Sequence, residues 1–438
     1  MLFPPEFVSL PFDWNLLLNG EGIAAAAGLT VASAASAHER PEDDERREYR
    51  YEDIDLSAVK SHVAELEALN TRTPEQNDDL ATLYAVWANA LFDDEDGTLD
   101  EIDELFGKSE AILQEAPAQG KDTGLQRKLG SIYTAWGRSH SGFDNPETAI
   151  GYYLKAVETL KPLDDAGDGE AKYDIAGIKL SLGIAYRELD DLEKAKAFLN
   201  EAFLAYRACE KIGDFDTRFY MGAVSVQQGN LFHEMGEPLE TTLDAYNRAM
   251  RLYVEVIEDQ GDTSLERELA NVLIDRSMAV YEHWLDRKFE SKEEQKKTID
   301  DVLADINRGI GLLEKQYSEG NEIARYDLFY AVALLGKVCC DAENFDEAQK
   351  ALNRAINEFA DLCDEGDEFL FQMALVYADR ALVQKLLGNE KLSEQDCLKG
   401  SELVGKWAQQ SESSDEEIQE LKEQFQALLG QLDELSDG

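Results

Sequence analysis

The sequence predicts an all-α fold in which helical hairpins are stacked in series, and three observations carry that prediction. First, six stretches share one pattern, a glycine opening a polar turn before a long run with helical apolar periodicity. They are "GKDTGLQRKLGSIYTAWG" (120–137), "GDGEAKYDIAGIKLSLG" (167–183), "GDFDTRFYMGAVSVQQG" (213–229), "GDTSLERELANVLIDRS" (261–277), "GNEIARYDLFYAVALLG" (320–336) and "GDEFLFQMALVYADRA" (366–381). Second, the opening glycines lie 47, 46, 48, 59 and 46 residues apart, and each is followed 15–17 residues later by a small residue: Gly137, Gly183, Gly229, Ser277, Gly336 or Ala381. Third, the chain then turns at polar knots such as "FDNPET", "ELDDLEK" and "AENFDE", and a second helical run follows with small residues of its own.

Those second runs carry Ala149 and Ala156, Ala195 and Ala202, Ala348 and Ala355, and Ser393 and Gly400. In all four copies the later residue of the pair lies 19 positions after the small residue of the first run. Such spacing is expected where two antiparallel helices cross closely, because a large side chain at the crossing would hold the backbones apart. Glycine inside a helix costs about 1 kcal/mol relative to alanine, whereas an overpacked crossing costs roughly 1–3 kcal/mol. The crossing decides the residue.

In chain order, residues 1–55 are expected to be mostly disordered, with "HERPEDDERREYR" too charged to bury and a weak signal-like run at 23–37. Residues 56–119 read as an N-terminal cap helix, "LSAVKSHVAELEAL" (56–69), followed by a divergent first repeat built on "DDLATLYAVWANALF" and "IDELFGKSEAIL". Residues 120–410 hold six long repeats. The fourth carries an insertion near "DRKFESKEEQKKTIDD" (286–301), which is expected to extend a helix or a loop. Residues 411–438 read as an acidic amphipathic capping helix with Ile418, Leu421, Phe425, Leu428 and Leu432 on its apolar side.

The stretches "LGIAYRELDDLEKAKAFLNEAF" (182–203) and "LGKVCCDAENFDEAQKALNRAI" (335–356) carry a family resemblance, with Leu-Gly in the first helix and paired alanines in the second. They resemble the tetratricopeptide repeat (TPR), over about residues 70–410. HEAT-like repeats have a compatible period, and the small-residue spacing favours TPR. The period departs from the family, about 46 residues against the usual 34, and this length looks like the long repeats of bacterial signalling and regulatory proteins. The resemblance implies a right-handed α-solenoid of TPR-like helical hairpins with a C-terminal capping helix. It also implies a concave groove lined by residues one and four positions after each crossing residue, and one turn before. The candidates are Thr134, Arg138, Ile184, Arg187, Asn230, His233, Asn271, Met278, Tyr281, Tyr330, Lys337, Cys340, Leu382 and Lys385. None is acidic, so the groove is expected to be neutral to basic and to take a peptide or partner helix with acidic or polar anchors. Charge reversal at Arg138 and Lys337 is expected to weaken that binding and leave stability nearly unchanged.

Composition narrows the function. A formal charge of −49 excludes the usual nucleic-acid reading, which needs a basic footprint, and argues against anionic membrane surfaces. The five cysteines, an odd number spread through apolar helical runs, argue against a disulfide framework and favour a reducing, cytoplasmic compartment. Export, with cleavage at the A-x-A-like site before His38, is the alternative. The glycines of "GEGIAAAAG" precede no βαβ unit, so no dinucleotide site is read there. The five histidines lack ligand spacing, and no nucleophile elbow, P-loop or zinc motif occurs. Acidic runs such as "FDDEDGTLDEIDE" (92–104) read as solvated faces. Of the adjacent Cys339 and Cys340, one is expected in the core and the other toward surface or groove. Tyr133, Tyr186, Phe232 and Tyr281 are expected in the repeat core. No catalytic, cofactor or metal site is therefore predicted. The chain reads as a non-enzymatic protein-binding scaffold, adaptor or regulatory sensor, with an exported envelope-assembly factor or an accessory subunit of an enzyme complex as alternatives.

Overall fold

The computed structural model describes residues 55–92, 97–115, 123–210, 217–261, 263–289 and 291–410, together with Gln419 and Lys422. The signal-like run 23–37, the site before His38 and almost all of the C-terminal amphipathic stretch lie outside the described residues. Fifteen α-helices occur among the described residues. They are α1 (Leu56–Glu67), α2 (Pro74–Phe92), α3 (Leu99–Glu115), α4 (Thr123–Gly142), α5 (Pro146–Asp165), α6 (Gly169–Glu188), α7 (Leu192–Glu210), α8 (Arg218–Glu234), α9 (Leu239–Gln260), α10 (Glu266–Asp286), α11 (Lys292–Ser318), α12 (Ile323–Asp341), α13 (Phe345–Phe359), α14 (Asp367–Leu386) and α15 (Glu390–Gln410). No helix among the described residues is long and apolar enough to cross a membrane. The chain falls into two compact units, one running to Leu231 and the other from Phe232.

Helices adjacent in the sequence pack against each other in turn, from α1 to α7 in the first unit and from α9 to α15 in the second. In the first, α1 buries Val59, Val63 and Leu66 in a core continued by Leu80, Phe106, Ile132, Leu160 and Leu182. In the second, the core runs through Ile274, Val302, Phe329, Leu352, Phe359 and Trp407. An all-α array of stacked hairpins is the architecture that the repeat predicts. The insertion at 286–301 lengthens the second helix of its hairpin: α11 has 27 residues, with Ser291 capping it by accepting from the Glu294 amide at 3.1 Å.

The crossing glycines are filled from the facing helix. A Cβ on Gly183 would lie 2.6 Å from Leu199 Cδ2, and one on Gly336 would lie 2.5 Å from Leu352 Cδ2. At Gly137 the obstacle is Tyr153, 2.7 Å away. Each obstacle lies 16 residues after its glycine, between the paired alanines, all of which are fully buried. The small residue therefore admits a large buried side chain from the partner helix, whose burial contributes roughly 1.5–3 kcal/mol for leucine. At the last copy, where alanine replaces glycine at 381, position 397 holds the smaller Cys397.

Five hairpin turns have one geometry. Seven residues after the crossing position the backbone is left-handed, at Asp144, Asp190, Gly236, Glu343 and Gly388 (φ 54°, 58°, 65°, 58° and 79°). Next to each, the amides of Asn145, Asp191, Glu237, Asn344 and Asn389 reach back five residues to a helix carbonyl at 2.8–2.9 Å, closing a Schellman motif. Glutamate at such a φ is strained by its Cβ, at about 1–2 kcal/mol. Glu343→Gly relieves the strain and frees the unfolded chain, and it is expected to stabilise the protein by about 0.5–1 kcal/mol in denaturant titrations.

Candidate partner-binding face

The predicted groove residues lie on the first helices of the hairpins, those up to Asn230 on α4, α6 and α8 and those from His233 onward on α8, α10, α12 and α14. In the first unit, Arg138 on α4 donates from Nη2 to Asn89 Oδ1 on α2 at 3.2 Å and lies 5.4 Å from the Phe92 ring centroid. On α6, Arg187 donates to Gln227 Oε1 on α8 at 2.5 Å. Thr134 uses its hydroxyl on its own helix, donating to the Gly130 carbonyl at 2.8 Å. Asn230 is half-buried on α8. Each arginine thus links two successive first helices and is oriented by an amide oxygen.

The second unit holds the remaining candidates. His233 Nε2 lies 2.8 Å from Glu282 Oε2, and that hydrogen bond raises the histidine pKa and lowers the glutamate's. Asn271 donates to Asp327 Oδ2 at 3.2 Å beside Arg267, whose Nε reaches the same oxygen at 2.6 Å. Tyr330 lays its ring against Phe329 and Phe369, with centroids 5.3 and 6.0 Å apart. Lys385 is half-buried near the end of α14.

The densest grouping is formed by Tyr281 on α10, Lys337, Cys340 and Asp341 on α12, and Asp379 on α14. Tyr281 donates its hydroxyl to Asp341, and Lys337 Nζ donates to the same carboxylate at 2.7 Å. Lys337 Nζ also lies 3.9 Å from Asp379 Oδ1. Asp379 is 7% exposed, and its Oδ1 accepts no hydrogen bond. Burial pushes its carboxyl up to about 7 against the attraction of Lys337, with Asp341 adding to the rise. Burial alone would pull the Lys337 ammonium down, and Asp379 and Asp341 outweigh it and raise it. Burial and the bond to Asp341 hold the Tyr281 phenol above its usual range.

Two expectations are corrected here. The face is not free of acids: Glu282, Asp327, Asp341 and Asp379 stand on it beside the predicted cations. The acids sit at other offsets from the crossing residue, two before it for Asp379 and five after it for Glu282 and Asp341, which a list built on positions one and four passes over. A charge reversal at Lys337 would therefore put a third carboxylate beside two others, and it is not neutral for stability. Second, Cys339 and Cys340 are both buried, because α14 covers the side of α12 expected to be open; burial pushes their thiols up to about 11 and about 12. Of the four aromatics expected in the core, Tyr133 and Tyr281 are buried, and Tyr186 and Phe232 are partly exposed.

Sequence reasoning also missed a set of latches between hairpins. The residue just before the crossing position reaches an asparagine on the preceding second helix in three copies: Gln228 to Asn200 at 2.8 Å, Arg276 to Asn247 at 2.6 Å and Arg380 to Asn353 at 2.9 Å. The two arginines also grip an aspartate on their own second helix, Asp305 and Asp396. The repeated Asn200, Asn247 and Asn353, in "FLNEAF", "YNRAM" and "ALNRAI", were the signal.

No family model matches the chain, and no curated protein matches it. Solved structures do. The chain is similar to a signal transduction ATPase with numerous domains and a tetratricopeptide repeat sensor from Pyrococcus horikoshii, at TM-score 0.52 and 16% identity over 84% of this chain and 55% of that one. The fold is TPR-like. Two other TPR-like neighbours are the apo form of the quorum sensor NprR from B. thuringiensis (TM-score 0.47, 15% identity, 80% of this chain and 83% of that one) and the apo form of RapI (TM-score 0.47, 12% identity, 76% and 99%).

Proposed function

We propose that this TPR-like protein is a non-enzymatic scaffold, adaptor or regulatory sensor of the long-repeat bacterial type, working in the cytoplasm and binding a protein or peptide segment along its first helices. The observation that carries the reading is the linking of successive first helices by polar side chains: Arg138 with Asn89, Arg187 with Gln227, Tyr281 with Asp341 and Lys337 with Asp379. Within each unit, side chains whose rotamers are already fixed lose little entropy when a partner docks, so their hydrogen bonds count more fully toward affinity. Similarity to a protein with a TPR sensor supports the regulatory version.

The test is capture of partners from a lysate of the native host by the wild-type chain, by Arg138→Ala/Arg187→Ala, and by Lys161→Ala on the exposed side of the second helix α5. Each captured partner is then titrated against all three chains. The first-helix variant is expected to lose at least tenfold in affinity, about 1.4 kcal/mol, with Lys161→Ala unchanged. Equal affinity for all three, or loss confined to Lys161→Ala, would overturn the reading.

A further inference from the structure

Asp379 on α14 is a buried carboxyl group with an oxygen left unsatisfied. It lies almost wholly inside, its Oδ1 accepts no hydrogen bond, and its ion-pair partner Lys337 stands 3.9 Å away while bonding to Asp341 instead. A buried oxygen in that condition costs roughly 1–3 kcal/mol, more when charged. We propose that Asp379 and Asp341 form the recognition point for an arginine side chain of the partner, positioned by Tyr281 and Lys337. This rests on the partner-binding reading above and names the chemistry of one of its anchors.

Three arguments converge on a guanidinium. With Asp379 deprotonated, the two aspartates and one lysine carry one net negative charge, which favours a cationic donor. A second ammonium would compete with Lys337 for a point-charge position, whereas a planar guanidinium offers five donors and can bridge the open lone pairs of both carboxylates. The formal charge of −49 also draws a basic segment toward the protein. Tyr281 and Lys337 both donate to Asp341 and fix its orientation, which leaves Asp379 as the group that gains a new bond.

Proton competition supplies a signature. Asp379 is faced by Tyr281 from α10 and by Lys337, Cys340 and Asp341 from α12, while its chain neighbour Arg380 is engaged with Asp396 of α15. With the carboxyl titrating near 7, a guanidinium binds the deprotonated form, and its affinity rises about tenfold between pH 6 and pH 8.

The experiment titrates the full chain, carrying 15N-labelled tryptophan, with L-argininamide, and with L-citrullinamide as the neutral isostere. Trp284 is the reporter, its ring 6.3 Å from that of Tyr281. L-Argininamide is expected to shift the Trp284 indole signal saturably, more tightly at pH 8 than at pH 6, and L-citrullinamide is not. Asp379→Asn should weaken binding at least tenfold and abolish the pH dependence, with Asp341→Asn as a second, less buried variant and circular dichroism as the check on folding. No saturable shift with L-argininamide, an equal shift with L-citrullinamide, or unchanged binding by both folded variants would overturn the proposal. If partners are still captured through Arg138 and Arg187 when L-argininamide fails, only this anchor is withdrawn.

Discussion

Asp396→Ala is expected to destabilise the last hairpin by about 3–5 kcal/mol, the range for removing one partner of a buried ion pair. Arg380 and Asp396 form a two-pronged pair, Nε to Oδ2 at 2.9 Å and Nη2 to Oδ1 at 2.6 Å, while Nη1 donates to Asn353 on the preceding hairpin. Asp396 is 6% exposed, so its loss strands a guanidinium where water scarcely reaches. In an array of this kind stability is approximately a sum of hairpin and neighbour terms, so the damage should stay local. Hydrogen exchange across 367–410 should accelerate while the cores around Leu182 and Phe329 remain protected. The double substitution Arg380→Met/Asp396→Leu, which replaces the pair by apolar groups, should recover most of the loss. A cost below about 1 kcal/mol for Asp396→Ala would show that the pair contributes little.

That pair marks the boundary of what the sequence makes legible. The crossing residues Gly137, Gly183 and Gly336 are visible because close packing admits one class of residue at one offset, and the offset repeats. The left-handed turn is nearly as visible, since Asp144, Asp190 and Gly236 fall in polar knots of constant length. Partners across the hairpins are not. Arg276 finds Asn247 29 residues away, Tyr281 finds Asp341 60 away, and Arg187 finds Gln227 40 away. Such separations depend on the register between neighbouring hairpins, and the insertion that lengthens α11 changes the count in one copy. Asp379 was the hardest to read. Its surroundings, "FQMALVYADRALV", look like a buried helix, and a carboxylate there is informative only when the cation and acid facing it from α12 are known.

Asp379→Asn is expected to make the protein more stable at pH 8 than the wild type, and nearly equal to it at pH 4. The sign follows from the direction of the shift. The folded-state pKa, about 7, lies above the unfolded value near 3.9, so the protonated form is the one the fold prefers. Stability contributed by that proton is complete below about pH 4 and is lost as pH rises through 7. That displacement corresponds to about 4 kcal/mol in full, of which about 2–3 kcal/mol falls between pH 5 and pH 8. Lys337, held above its usual value, loses its own contribution only at strongly alkaline pH, outside this window. His233, raised by Glu282, loses stability as pH rises through its folded pKa, but identically in both proteins, so it cancels in the comparison. Urea titrations of wild type and variant at pH 5 and pH 8 therefore isolate Asp379, and parallel stability curves would mean that its carboxyl titrates like an exposed one. The same comparison bears on binding. A group that burdens the free protein at pH 8 and is relieved by a guanidinium returns that energy as affinity, which explains why a buried, unsatisfied carboxylate persists there.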